Sequence, residues 1–464
     1  MPSRKVLAAF LLLGTGLAAC SLTPAYTVPA TPAPGDSSQG GGYHETGAWT
    51  PAAPSDAAAR GAWWSVFNDP LLDALERRID AGNAQLAMAA ARYDEAGALE
   101  GQAQSGLFPT LGATGFASQT DDPRNGRLDN YSLGLSAGYE ADLWGRVRNL
   151  VAAGHAEAQA SAADLADVRL SLQARLAETW FSLRGADAQI ALLQQTSDDY
   201  QKALDLTTDR YKGGASGAAD VGRAKTQLSS TEAQLEQARA SRALLEHALA
   251  VLVGSSASTF RVAPNASSVE VPRIPVDAPS QLLQRRPDIA AAERRVFEAN
   301  AGIGVARAAF FPDITLTAGG GTEDYVNATG PFWAIGPLAF NLPIFDAGAR
   351  SAKLGQARAE FDGASAQYRQ TVLTAFQDVE DQLALANRLA AAAARQDEAV
   401  TAAGETDRLS MLQYRDGAAS YLDVVTAQTA ELQARSAALD IQTRRLLAGV
   451  DLIRALGGGW QAKA

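Results

Sequence analysis

The 464-residue chain has one cysteine and three histidines, which excludes a disulfide framework and leaves no metal-ligand spacing around His44, His155 or His247. It has no surplus of positive charge. The net charge of −11 argues against a nucleic-acid surface and predicts repulsion from anionic lipid. Beyond Cys20, no stretch supplies the ~20 uninterrupted apolar residues of a spanning helix; "ALLEHALAVLVG" comes closest, and Glu246 and His247 break it. A phosphate-cradling G-x-x-x-x-G-K-[ST] motif is also missing. "GLSAG", Gly134 to Gly138, matches G-x-S-x-G, but it sits in an apolar-alternating segment without the strand-turn-helix setting and the Asp and His partners that a nucleophile elbow needs. The expectation is a protein that is not an enzyme and uses no cofactor.

What is present begins at the N-terminus. "MPSRKVLAAFLLLGTGLAAC" opens with Arg4 and Lys5, continues through an apolar stretch and ends in small residues, the build of a secretory signal. Leu17-Ala18-Ala19-Cys20 resembles a bacterial lipobox, which implies cleavage of a signal peptide at 1–19, acylation of Cys20 and, with Ser21 next, the outer membrane. Several acyl chains, each worth about 0.8 kcal/mol per buried CH₂, would anchor the chain in lipid. The Pro-, Gly-, Ala- and Ser-rich stretch that follows reads as a flexible linker over 20–62. Order is expected from Trp63, Trp64 and Phe67, with a helix starting at Asp69-Pro70.

The chain then repeats itself. "YKGGASGAADV" at Tyr211 returns as "YRDGAASYLDV" at Tyr414, an offset of 203 residues (414 − 211). Phe108-Pro109 and Phe311-Pro312, Arg92 and Arg295, and Gly254 and Gly457 share that offset, so the chain is an internal duplication. The repeats are placed at 63–254 and 280–457, with a Ser- and Pro-rich joint at 255–279 and a tail at 458–464. Each half reads as helix, two strands, very long helix, turn, helix. The strands form hairpins at about 108–144 and 311–345, alternating with period two. About a dozen residues at ~3.3 Å each, tilted by ~45°, cross a bilayer core. Four strands cannot close a membrane barrel, and open edges cannot face lipid, so the barrel is expected to be shared between chains.

Proline is absent from Arg146 to Lys212, long enough for a helix of roughly 100 Å. Twelve positions from 172 to 211 alternate steps of four and three, and nine of them are apolar (Leu172, Leu176, Leu183, Ala186, Ile190, Leu193, Tyr200, Leu204 and Tyr211), a coiled-coil seam. Arg350 to Arg415 repeats the length with an Ala-rich stripe. "LLQRRPDIAAAERRV" at 282–296, "DLWGRVRN" at 142–149, "IFDAGAR" at 344–350 and the Trp63 motif together resemble the outer-membrane efflux proteins, exit ducts of tripartite drug pumps.

The resemblance implies an α+β membrane protein: a trimeric shared β-barrel with four strands per chain above a long coiled-coil α-helical tunnel through the periplasm. It implies a homotrimer in contact with outer-membrane lipid, a periplasmic adaptor and an inner-membrane RND-type pump as partners, and no nucleic acid. Within the signature, Pro287 is expected in a helix's first turn and Asp288 at its positive end, with Arg285 and Arg286 pairing acidic neighbours in a structural role. Two other readings stay open, a type I protein secretion duct and a structural or adhesive coiled-coil lipoprotein.

Each copy of the repeated stretch falls where a long helix must reverse, and Gly214 and Gly417 can supply the positive φ that ends it. Asp220 and Asp423 follow at the start of the returning helix. In the family, the place matching Asp423 carries a constriction aspartate, so the resemblance implies a periplasmic aperture lined by Asp423, Asp220, Thr426 and Arg223. Ser420-x-x-Asp423 also reads as a capping box, and Asp220 as a partner of a helix dipole. Arg223 is placed to pair with Asp220 or a neighbouring chain's acids. Tyr211 and Tyr414 read either as latches between helices or as seam packing.

Overall fold

The computed structural model describes residues 22–31, 61–123, 126–272, 274, 286–325 and 328–458. Cys20, the signal segment, Arg285 and most of the linker and C-terminal tail lie outside them. A 3-10 turn at Trp63–Phe67 leads into α1 (Pro70–Gly82). The duplication then reads directly from the element bounds. Adding 203 turns α2 (Ala84–Ser105) into α5 (Pro287–Ala308), β1 (Thr110–Asp122) into β3 (Asp313–Tyr325), α3 (Arg146–Lys212) into α6 (Ala349–Arg415), and α4 (Ala218–Leu252) into α7 (Tyr421–Ala455). β2 (Gly126–Glu140) and β4 (Ala328–Asn341) complete the set and depart from the rule.

The chain divides into two compact units. One takes the N-terminal segment to Thr31, Ala90–Asp164 and Asp288–Thr371; the other takes Pro32–Ala89, Leu165–Pro287 and Val372–Ala464. The first unit holds an antiparallel sheet in the order β1-β2-β3-β4. Its register sets Leu111, Leu133, Leu135, Trp333 and Ile335 on one face, where Leu111, Trp333 and Ile335 are 76%, 80% and 83% exposed. The opposite face carries Gly112, Thr114, Ser132, Gly134 and Ser136, with Phe116 and Phe332 as its large members. Alternation thus separates a lipid-compatible face from a water-compatible one.

Ala318 pairs with Ile335 but Leu316 pairs with Leu338, so Gly336 and Pro337 together stand opposite a single residue. Gly336 takes φ 101° in this bulge. The extra residue reverses the parity of β4, and Phe340, paired with Ile314, joins the apolar face of Trp333 and Ile335. Below the strands, Trp144 stacks on Phe311 at 4.7 Å and its Nε1 donates to the Pro312 carbonyl at 2.9 Å. Asp142 caps α3 by accepting from the Val147 and Arg148 amides at 3.1 and 2.9 Å.

The flexible reading of 20–62 does not hold for residues 22–31. The Leu22 carbonyl accepts from Arg307 at 3.0 Å, the Pro24 carbonyl from Asn300 at 3.1 Å and the Ala30 carbonyl from Arg369 at 3.2 Å. Thr23 donates to Asn149 at 2.6 Å, and the Tyr26 hydroxyl donates to Glu293. Pro24 and Pro29 hold the backbone extended, which leaves its carbonyls free for side-chain donors.

In the second unit, Asp69 Oδ1 accepts from the Leu71 and Leu72 amides at 3.0 and 3.2 Å with Pro70 at N1, and this starts α1. Leu72, Leu75 and Ile79 then share a buried stripe with Trp63, Trp64, Phe67, Trp180 and Phe181. Asp69 Oδ2 accepts from Trp180 Nε1 at 2.8 Å, tying α1 to α3. Glu76 on the same helix is wholly buried, and among the described residues neither of its carboxyl oxygens meets a donor. Along α3, seam residues Leu172, Leu176, Leu183, Leu193 and Tyr200 are buried, whereas Tyr211 at its end is exposed. Among the described residues no helix is long and apolar enough to cross a membrane.

Candidate functional site: two helix reversals

Both long helices end in the same backbone device. At α3 the Ala215 amide donates to the Arg210 carbonyl at 2.8 Å and the Gly214 amide to Tyr211 at 3.0 Å; at α6 Ala418 donates to Gln413 at 2.8 Å and Gly417 to Tyr414 at 3.0 Å. This crossed pair of bonds requires a left-handed residue between helix and loop, and Gly214 and Gly417 take φ of 74° and 78°. Both belong to the second unit.

The returning helices start differently. Ser420 caps α7: its amide and hydroxyl donate to Asp423 Oδ2 at 2.9 and 2.8 Å, while its Oγ accepts from the Asp423 amide at 3.4 Å. In the first copy Gly217 occupies the cap position and has no side chain to offer. Asp220 Oδ2 accepts instead from the Ser216 hydroxyl at 3.0 Å and the Gly217 amide at 3.4 Å.

Charge separates the copies further. Arg223 Nη1 donates to Asp220 Oδ1 at 2.8 Å. The matching place in the second copy is Thr426, whose hydroxyl donates to the Leu422 carbonyl at 2.8 Å. Asp423 is fully exposed, and its bonds from the Ser420 hydroxyl and then the Ser420 amide hold it below the usual carboxylate range. One turn thus carries an aspartate paired with an arginine, the other an aspartate held by neutral donors.

The tyrosines diverge as well. Tyr414 is buried, its hydroxyl donates to Thr207 Oγ1 at 3.3 Å, and its ring lies 5.4 Å from that of Tyr421. Arg210 sits over the Tyr414 ring at 4.6 Å and donates to the Tyr414 and Arg415 carbonyls at 2.8 and 3.2 Å. The end of α3 therefore caps the end of α6. Tyr211 remains exposed. Sequence reasoning missed Arg210, although its counterpart Gln413 marks the same asymmetry one residue before each tyrosine.

The signature segment stands elsewhere. Pro287 is the first residue of α5, and Asp288 Oδ1 accepts from the Ile289 amide at 2.9 Å. Arg286 Nη1 donates to Asp378 at 3.0 Å and to the Ala455 carbonyl at 3.3 Å, joining the segment before α5 to α6 and to the end of α7. Arg285 and Cys20 lie outside the described residues.

A family model described as outer membrane efflux protein matches residues 75–255 and 278–458. The toluene efflux pump outer membrane protein TtgC of Pseudomonas putida is 33% identical, covering 96% of this chain and 93% of its own length. The cation efflux system protein CusC of Escherichia coli is 30% identical, covering 96% and 97%. The open-state MtrE outer membrane channel of Neisseria gonorrhoeae is a structural match with a TM-score of 0.82 at 30% identity, covering 95% of this chain and 98% of that one. With both repeats matched and relatives alike over nearly their whole length, the chain belongs to the outer membrane efflux protein family.

Proposed function

We propose that the two reversals form the closable periplasmic end of the duct and that Asp423 is its principal constriction carboxylate. The chain is the outer-membrane channel of a tripartite efflux system, working with a periplasmic adaptor and an inner-membrane pump. It is a trimer whose barrel takes four strands from each chain; among the described residues the outer edges of β1 and β4 pair with no strand, and such edges cannot face lipid.

The observation that carries the aperture reading is the exposed Asp423 with no cation beside it on α7, against Asp220 paired by Arg223. Three such carboxylates around one axis repel each other and favour cations, which gives selectivity and a bias that opening relieves. Asp220, Arg223 and Thr426 form the weaker part of this ring in our reading, and Tyr211 meets a neighbouring chain.

Transport here is passive and catalysis forms no part of it; Ser136 of the G-x-S-x-G match sits inside β2, paired with Gly112 and Gly319. Acylation of Cys20 supplies the anchor. Relatives of similar identity are named for toluene and for cations, so we infer that the pump selects the cargo. Asp423→Ala is expected to raise single-channel conductance or lower cation preference in planar bilayers. Wild-type values for both would refute the aperture assignment.

A further inference from the structure

Helices α6 and α7 form the hairpin whose turn presents Asp423. Near the turn they touch through Tyr414 and Tyr421. Further along, Gln396 Nε2 donates to the Ala434 carbonyl at 2.9 Å. Between these two contacts lie Asp407 on α6 and Glu431 on α7, each about 12–15 Å along its helix from the turn. A Cβ on Gly404, one turn before Asp407, would stand 3.7 Å from Glu431 Oε1, so the Glu431 carboxyl lies against α6. Asp407 Oδ1 is buried and meets no donor among the described residues.

We propose that Asp407 and Glu431 form a proton-operated clasp between α6 and α7, closed when one proton is shared between the two carboxyls and opened when both ionise. The clasp rests on the reading of the hairpin as the gate and adds its regulation. Two adjoining carboxylates cannot both stay charged without mutual repulsion, whereas one proton turns the repulsion into an O–H···O⁻ bond.

The surroundings favour that exchange. On α7, Arg435 reaches Glu431 at 3.5 Å. From α3, Asp199 and Tyr200 face the pair; Asp199, against the pull of burial, is held below the usual range by Gln195 and Lys202 and so adds negative charge. On α6 itself, Glu405 and Arg408 satisfy each other at 2.7 Å in solvent. Burial first, then Glu431 and Asp199, push the Asp407 carboxyl up to about 6. The sign follows: the bond is present below that pH and lost as pH rises through it.

Purified trimers in planar bilayers, titrated from about pH 5 to 8 on either side of that value, test the clasp. Wild-type open probability is expected to step downward on acidification through about 6. Asp407→Asn, whose amide donates to Glu431 at every pH, is expected to remain at the low level throughout. Asp407→Ala, or Glu431→Ala should the first not assemble as a trimer, is expected to remain at the high level. A wild type without the step, a step that survives in the alanine variants, or Asn and Ala variants that shift the same way would overturn the clasp. Asp423→Ala separates the two readings. If it alters neither conductance nor cation preference while the acid step still depends on Asp407, the aperture assignment falls and the clasp stands.

Discussion

Glu76 shows how much one side chain can hide from its own neighbours in sequence. "LLDALERRID" places it beside Arg77 and Arg78, yet the packing of α1 buries it completely. Burial, followed by the charges of Asp80 and Asp73, raises its carboxyl well above the ordinary value. A group raised on folding contributes stability below its unfolded pKa and loses it as pH climbs through the folded one. Trimers are therefore expected to unfold more readily at pH 8 than at pH 5, and Glu76→Gln is expected to flatten the difference; thermal unfolding at the two pH values measures it. Asp423 was legible because its constraint is local: a serine three residues earlier and a glycine before that determine cap and turn. Glu76 was not, because its burial comes from the packing of α1, whose buried stripe shares a core with Trp180 and Phe181 of α3, about a hundred residues away in the chain.

Among the elements, the long helices announced themselves through missing proline, seam spacing and a constant repeat; α3 spans Arg146–Lys212 as expected, and α6 starts one residue before the expected Arg350. The β4 bulge was less readable. Gly336-Pro337 signals a break, and nothing local distinguishes a turn from an extra residue inside a paired strand; the partner Thr317 decides it. The stretch at 22–31 was misread for a similar reason, since its Pro-rich composition fits both a loose tether and an extended strap, and donors such as Arg307 and Asn300 come from a distant helix. Caps carry a measurable share of the tip. Ser420→Ala removes the hydroxyl that bridges the first turn of α7 and is expected to cost about 1 kcal/mol locally. Faster amide exchange over the first turn of α7, with α4 unchanged, is the expected signature. It should also bring Asp423 back toward the ordinary carboxylate range, visible as a shifted titration of cation preference.

For the whole molecule, a barrel completed only by three chains makes membrane insertion and assembly a single requirement. Leu133 and Ser132 are adjacent in β2 but point to opposite faces of the sheet. Arginine at the lipid face near mid-strand costs about 2–4 kcal/mol, and a trimer incurs it three times. Leu133→Arg is expected to abolish the heat-modifiable trimer on gels, whereas Ser132→Arg is expected to assemble and to change conductance. The matched helix lengths have a separate consequence, for which kinds of sequence change the chain can absorb. One residue inserted within α3 would turn every later side chain by about 100° and advance it by about 1.5 Å. Arg210 would then miss the Tyr414 and Arg415 carbonyls unless α6 gained a residue as well. Point substitutions can accumulate independently in the two halves, but insertions in these helices must come in pairs, and the strand hairpins, where the two copies already pair differently over the same chain length, are where single insertions can be tolerated.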